Sequence, residues 1–236
     1  MKVIEANTRY SLKQQDRAFI ASALAASADE QQLVDGLFDD DNMSDLILDC
    51  SKLYDILTDP QRDNDVSRRL YFYVVLRREL RNEEVVDRDI ADYLAGVFDT
   101  FLNGLEEPDP SSDQFFDKEY VWGLLAAVDS NNHEQNLITR AHIGNYTLFA
   151  TGVYPERIQY RAEYERGPKP KYYEAIGRAS YSTASQLPIA DEFAYVDLFK
   201  KLAAKFRQIR IALNRLSIRT ELAGHREEHD SVLLTE

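Results

Sequence analysis

One cysteine, nine glycines and seven prolines in 236 residues leave little to punctuate this chain. The single Cys50 cannot close an internal disulfide, which excludes a disulfide-built extracellular scaffold. Leu46, Ile47, Leu53 and Tyr54 surround it at helical spacing, so it reads as a buried thiol rather than a nucleophile. Scarce glycine and proline, beside plentiful Ala, Leu, Arg, Glu and Gln, argue against a turn-rich β architecture. Alternating segments bounded by hairpin turns are missing too. The apolar run LYFYVVL at 70–76 falls well short of the roughly 18 residues of a membrane-spanning helix. The opening MKVIEANTRYSLKQQ lacks an apolar segment and a small-residue cleavage site, so no secretory signal is expected and the chain is read as cytoplasmic.

Catalytic signatures are equally scarce. There is no GxSxG elbow, no GxxxxGK[ST] loop and no GxGxxG after a strand, which removes the common α/β cofactor enzymes. His133, His142, His225 and His229 form neither HExxH nor Glu-x-x-His, so zinc-peptidase and di-iron chemistry are disfavoured. His225 and His229 are four apart, but in a polar tail they read as solvated. Asp45 and Asp49 share a helix face and could hold Mg²⁺, yet no second Asp-rich helix faces them, and an exposed acidic face is the reading. Asp39, Asp41, Asp63 and Asp65 lack the glycine and terminal glutamate of a calcium loop. Neither metal nor cofactor is expected.

What the chain has is charge and helical periodicity. A net charge of −13 argues against nucleic acid or anionic membrane as a partner, and no helix pair reads as helix-turn-helix. Residues 27–130 hold 26 acids and 9 bases, whereas 138–180 hold 4 acids and 7 bases. Apolar spacing with cap and stop signals predicts an all-α, multi-helix bundle of about nine or ten helices with a long C-terminal one. The predicted helices cover 12–26 after Ser11, a short segment after Ser27 bearing Leu33 and Leu37, and 44–57 after Ser44, stopped by Pro60. Further helices are predicted over 64–81, 87–102, 115–129, 132–153, 155–165, 170–186 and from Pro188 to about 222. NGLEEPDPSSD at 103–113 is the strongest loop signal, separating an acidic half, 1–102, from a second half, 114–222, with a polar tail over 223–236. The two halves are expected to form one combined domain.

Two stretches carry the functional expectations. Residues 140–181 hold seven of the fourteen tyrosines together with Arg157, Arg161, Arg166, Lys169, Lys171 and Arg178. Rings interleaved with cations can bind an anionic ligand, and His142 with Asn145, three apart on an apolar helix, are costly to bury without partners. The candidate ligand-binding set is therefore His142, Asn145, Tyr146, Arg157, Arg161, Lys171, Tyr173 and Arg178, and Arg157, Arg161, Lys169, Lys171 and Arg178 are expected to form one positive surface. The competing reading is an interhelical seam in which Gly144, Gly152, Gly177 and Ala184 permit close approach and Glu174 pairs with Arg178.

The second stretch is the final helix, where Tyr195, Phe199, Leu202, Phe206, Ile209, Leu213 and Leu216 follow heptad spacing. Between 198 and 220 it carries Lys200, Lys201, Lys205, Arg207, Arg210, Arg215 and Arg219 and no acid, which suits a place beside the acidic half. A residual patch around Ile218 is expected to support a homodimer. The leading functional expectation is a non-catalytic protein that binds another macromolecule or itself. The alternative is a small-molecule or anionic-ligand binding protein, with or without catalysis, using 140–181.

Overall fold

A computed structural model describes residues 4–59, 61–62, 65–102, 113–116, 118–128, 131–165 and 167–219. Among these the regular structure is entirely helical, as the periodicity predicts. It comprises α1 (Gln14–Leu24), α2 (Ala28–Gly36), α3 (Asp41–Leu48), α4 (Ser51–Leu57), α5 (Arg68–Asn82), α6 (Arg88–Leu102), α7 (Lys118–Ala126), α8 (His133–Val153), α9 (Pro155–Tyr164), α10 (Pro170–Ala184), α11 (Pro188–Glu192) and α12 (Val196–Arg219). Short 3-10 turns cover Leu37–Asp39 and Asp113–Phe116. The helix stop at Pro60, residues 103–112 of the expected loop, Arg166, the side chain of Ile218, the His225/His229 pair and the tail lie outside the described residues.

Two breaks raise the helix count above the expected one. The segment predicted as one helix over 44–57 divides at Asp49 and Cys50, where Cys50 takes an extended backbone (φ −67°, ψ 127°) and opens α4. Its first part starts at an Asp40 cap rather than at Ser44, with the carboxylate accepting from the backbone N–H groups of Asn42 and Met43. The helix expected from Pro188 onward stops at Glu192. Ala194 then sits in the left-handed region (φ 57°), and the Tyr195 N–H donates to the Ala190 carbonyl, so α12 leaves in a new direction.

The cap expected at Ser11 is also displaced. Ser11 donates to the Asn7 carbonyl at 2.7 Å, and α1 is closed instead by Asp16, whose buried carboxylate accepts the Lys13 N–H. The same carboxylate accepts from the Ser67 N–H (2.7 Å) and Oγ (2.8 Å), so one acid fixes the starts of α1 and α5. At α2 the expected cap is present, with Ser27 accepting from the Glu30 N–H.

The core is one cluster fed from Ile4 through Leu216. α5 contributes nine buried residues, consistent with its all-round apolar pattern. α6 meets α8 through Phe98 and Phe149 (ring centroids 5.0 Å apart) and meets α12 through Tyr93 and Phe199 (5.9 Å). α8, α10 and α12 approach closely because glycine lies at the crossings. A Cβ at Gly144 would stand 2.6 Å from the Tyr181 ring, and one at Gly177 2.5 Å from the Phe206 ring. The heptad seam of α12, including Phe199, Leu202, Phe206, Ile209 and Leu216, is fully buried against its own chain. Its cationic side meets acids of the first half through Lys201–Asp87 and Arg215–Glu83, both at 2.5 Å.

Candidate functional site

α8 begins at Asn132, whose side chain caps the Gln135 N–H, and runs through the middle of the core. Its polar residues therefore enter low-dielectric surroundings and need internal partners. His142, Asn145 and Tyr146 are 5%, 3% and 0% exposed, and Tyr173 on α10 is 2% exposed. The His142 Nε2 lies 2.7 Å from the Tyr120 hydroxyl, with Phe101 tilted over the imidazole at 5.9 Å. Asn145 Oδ1 accepts two hydroxyls, from Tyr93 at 2.9 Å and Tyr181 at 2.7 Å, tying α6, α8 and α10 together. Tyr146 donates to the Phe115 carbonyl. Burial pushes the pKa values of Tyr93 and Tyr181 upward, so both remain hydroxyl donors at neutral pH.

Burial also pulls the His142 imidazole from 6.5 down to about 4. Between those values the unfolded chain takes up a proton that the fold refuses, so stability is lost as pH falls from 6.5 toward 4. The loss is expected to reach about 3 kcal/mol near pH 4, and His142→Gln should flatten that limb. Urea unfolding at several pH values checks this. An unchanged slope in the variant would assign the loss elsewhere.

The four cations of the candidate set stand apart from this buried polar group. Arg157 lies over the Phe116 ring at 5.4 Å, and Arg161 pairs with Glu165 one turn along α9 at 3.2 Å. Lys171 and Arg178 are exposed on α10. The expected Glu174–Arg178 pair is replaced by Glu174–Arg210, at 3.9 Å between α10 and α12.

A groove of about 510 Å³ does open within the 140–181 region, on other residues. Glu156, Gln159, Tyr160, Glu163 and Tyr164 recur along one face of α9 and line it, with Arg210 contributed by α12. None of the eight candidate residues contributes to that lining. Glu156, Tyr160, Glu163 and Tyr164, which do line the groove, form an i, i+4, i+7, i+8 stripe in the sequence.

The first half holds two further features. Asp45 and Asp49 do not form an exposed acidic face. Asp45 pairs with Arg9 (3.3 Å) and Arg88 (3.4 Å), while Asp49 pairs with Arg77 (3.0 Å) and Arg88 (2.8 Å). Burial raises the Asp49 pKa, but the Arg77 hydrogen bond and the charges of Arg77, Arg88 and Arg81 outweigh it and hold the acid below the usual range. Among the described residues, no three His, Cys, Asp or Glu side chains cluster so as to hold a metal ion.

The other feature is apolar. α2 buries none of its residues, and Leu33, Leu37, Met43 and Leu46 are 70%, 38%, 41% and 63% exposed. Leu33 and Leu37 lie one turn apart, as do Met43 and Leu46, and the 3-10 turn bearing Leu37 leads through Asp40 into α3. Residues 18–51 contain eight acids and no Lys, Arg or His. No protein-family profile, curated protein or solved structure matches the chain.

Proposed function

We propose that this is a non-catalytic, cytoplasmic interaction protein that binds a protein partner or a second copy of itself at the apolar ridge of α2 and α3. The observation that carries the reading is the exposure of Leu33, Leu37, Met43 and Leu46 on adjoining short elements. Single exposed leucines are ordinary, but four large apolar groups along one connected segment form a surface that association would cover. Covering one such side chain is worth about 1.5–3 kcal/mol before the cost of association. Asp35 and Asp39 pair with Arg17, and Asp45 and Asp49 with Arg9, Arg77 and Arg88; the negative charge left on this segment favours a partner with basic residues over an identical face. Self-association through the end of α12 remains a separate proposal resting on Ile218. A cytoplasmic location is supported by the lone cysteine and by the absence, among the described residues, of a helix long and apolar enough to cross a membrane.

The joint variant Leu33→Glu with Leu46→Glu tests the ridge. Both side chains are exposed, so folding stability should change by no more than about 1 kcal/mol. Sedimentation velocity of the labelled chain, pure and in lysate of its native cells, should give a heavier species for the parent that the variant lacks. A parent that sediments as a 27.2 kDa particle in both conditions removes the proposal.

A second reading, ligand binding within 140–181, draws support from the groove beside α9. Its acidic and aromatic lining suits a ligand of the sign opposite to the one the sequence suggested.

A further inference from the structure

We propose that the outer face of the α10–α12 pair binds a phosphorylated side chain within an acidic peptide segment, with Arg178 and Arg207 gripping the phosphate. This surface shares no residue with the α2–α3 ridge and goes beyond the function proposed there. α10 and α12 run antiparallel: Glu174, Gly177 and Tyr181 meet Arg210, Phe206 and Phe199 in turn. Arg178 and Arg207 each stand one residue past the Gly177–Phe206 contact, turned by about 100° from it. In an antiparallel pair those two turns lead to the same side, the side on which Glu174 and Arg210 already bridge the helices. The two arginines are therefore level to within about 3 Å along the axes, on helices about 8–10 Å apart. Lys171 and Lys200 precede them by two helical turns each, so they share this side and lie about 10 Å beyond the arginines at opposite ends.

All four cations are exposed, and none is held in an ion pair among the described residues. The acids of the two helices are Glu174, which pairs with Arg210, and Asp197 in the first turn of α12. A strip of uncompensated positive charge on a chain of net charge −13 selects a short anionic ligand. Screening limits what such a ligand feels to about 8 Å, whereas a long polyanion such as duplex nucleic acid also meets the acidic remainder of the molecule. No ring on this side of the pair is exposed for a base to stack on. Two planar guanidinium forks suit a phosphate dianion, which offers more oxygens and about twice the charge of a carboxylate. In an extended peptide, the residues two places either side of the phosphorylated one point to the same face about 7 Å away, within reach of the flexible Lys171 and Lys200 side chains.

Fluorescence anisotropy of a labelled, end-capped Gly-Asp-Ala-phosphoserine-Ala-Asp-Gly peptide with the full chain at physiological ionic strength tests the assignment. The controls are the same peptide with plain serine, Gly-Asp-Glu-Glu-Ala-Asp-Gly, which carries the same formal charge on carboxylates alone, and a short DNA duplex. The parent should bind the phosphopeptide roughly ten-fold more tightly than the serine peptide, and several-fold more tightly than the carboxylate peptide or the duplex. Arg178→Gln with Arg207→Gln should weaken phosphopeptide binding roughly ten-fold and leave the circular dichroism unchanged, since both side chains are exposed. Arg178→Lys with Arg207→Lys, which keeps the charge and loses the forks, should abolish the preference for phosphate over carboxylate. No measurable binding by the parent, affinity no lower for the carboxylate peptide or the duplex, or undiminished binding by the folded glutamine variant would each overturn the proposal.

Discussion

Phe206→Ala is expected to destabilise the chain by about 3–5 kcal/mol, because the ring is fully buried and its removal loses both transfer energy and packing. The site has little freedom to collapse. Phe206 lies near the Tyr181 ring at 6.3 Å between centroids, and Gly177 brings the α10 backbone against it. Three large helices meet there, so relaxation would have to move backbone rather than one side chain. For a chain of this length such a loss lowers the melting midpoint by roughly 6–20 °C. A coupled check uses Gly177→Ala. In the parent the added methyl meets Phe206 and Thr147 and should destabilise, whereas in the Phe206→Ala background only the Thr147 contact remains and the same change should cost less. Equilibrium urea unfolding of the four proteins checks both statements, and strict additivity would count against the described packing.

Asn145→Leu is the other substitution with a large expected effect. The side chains have similar volume, so the change acts chiefly through hydrogen bonding. It leaves the Tyr93 and Tyr181 hydroxyls, both fully buried, without their acceptor, at a cost of about 2–5 kcal/mol. Tyr93→Phe or Tyr181→Phe alone should cost about 1 kcal/mol, because Asn145 keeps one donor in each case. The triple variant with leucine at 145 and phenylalanine at 93 and 181 should recover most of the lost stability, since removing every partner leaves no orphaned polar group. Thermal unfolding of this series distinguishes structural tethering from ligand binding. A triple variant no more stable than Asn145→Leu would indicate that Asn145 meets another need.

The pattern of legibility follows the range of the forces involved. α5, α6, α8 and α10 were readable because their apolar periodicity and caps are local, and their observed bounds lie close to the expected ones. The break at Cys50 was hidden because Leu46, Ile47, Leu53 and Tyr54 keep helical spacing across it, while the pairing of Asp49 with Arg77 acts 28 residues away. The same distance effect converted the expected acidic face into a half-buried arginine network. His142 and Asn145 stand out in the sequence as polar residues on an apolar helix, which need partners. Those partners, Tyr120, Tyr93 and Tyr181, lie on three other helices that no local pattern connects. Conversely, Leu33 and Leu46 looked like core residues by hydrophobicity and spacing, yet nothing among the described residues covers them. Their periodicity recorded a face that is apolar, without recording what lies against it.

In the interaction role proposed above, the protein works through the exposed surface of α2 and α3 and not through the buried polar group of α8. Site-specific photocrosslinking in its native cells tests this most directly. A benzoylphenylalanine placed at position 33 or 46 should give a discrete adduct of fixed mass, and one placed at the exposed Gln186 beyond α10 should give none. No adduct from either ridge position, or the same products from position 186, would contradict the account.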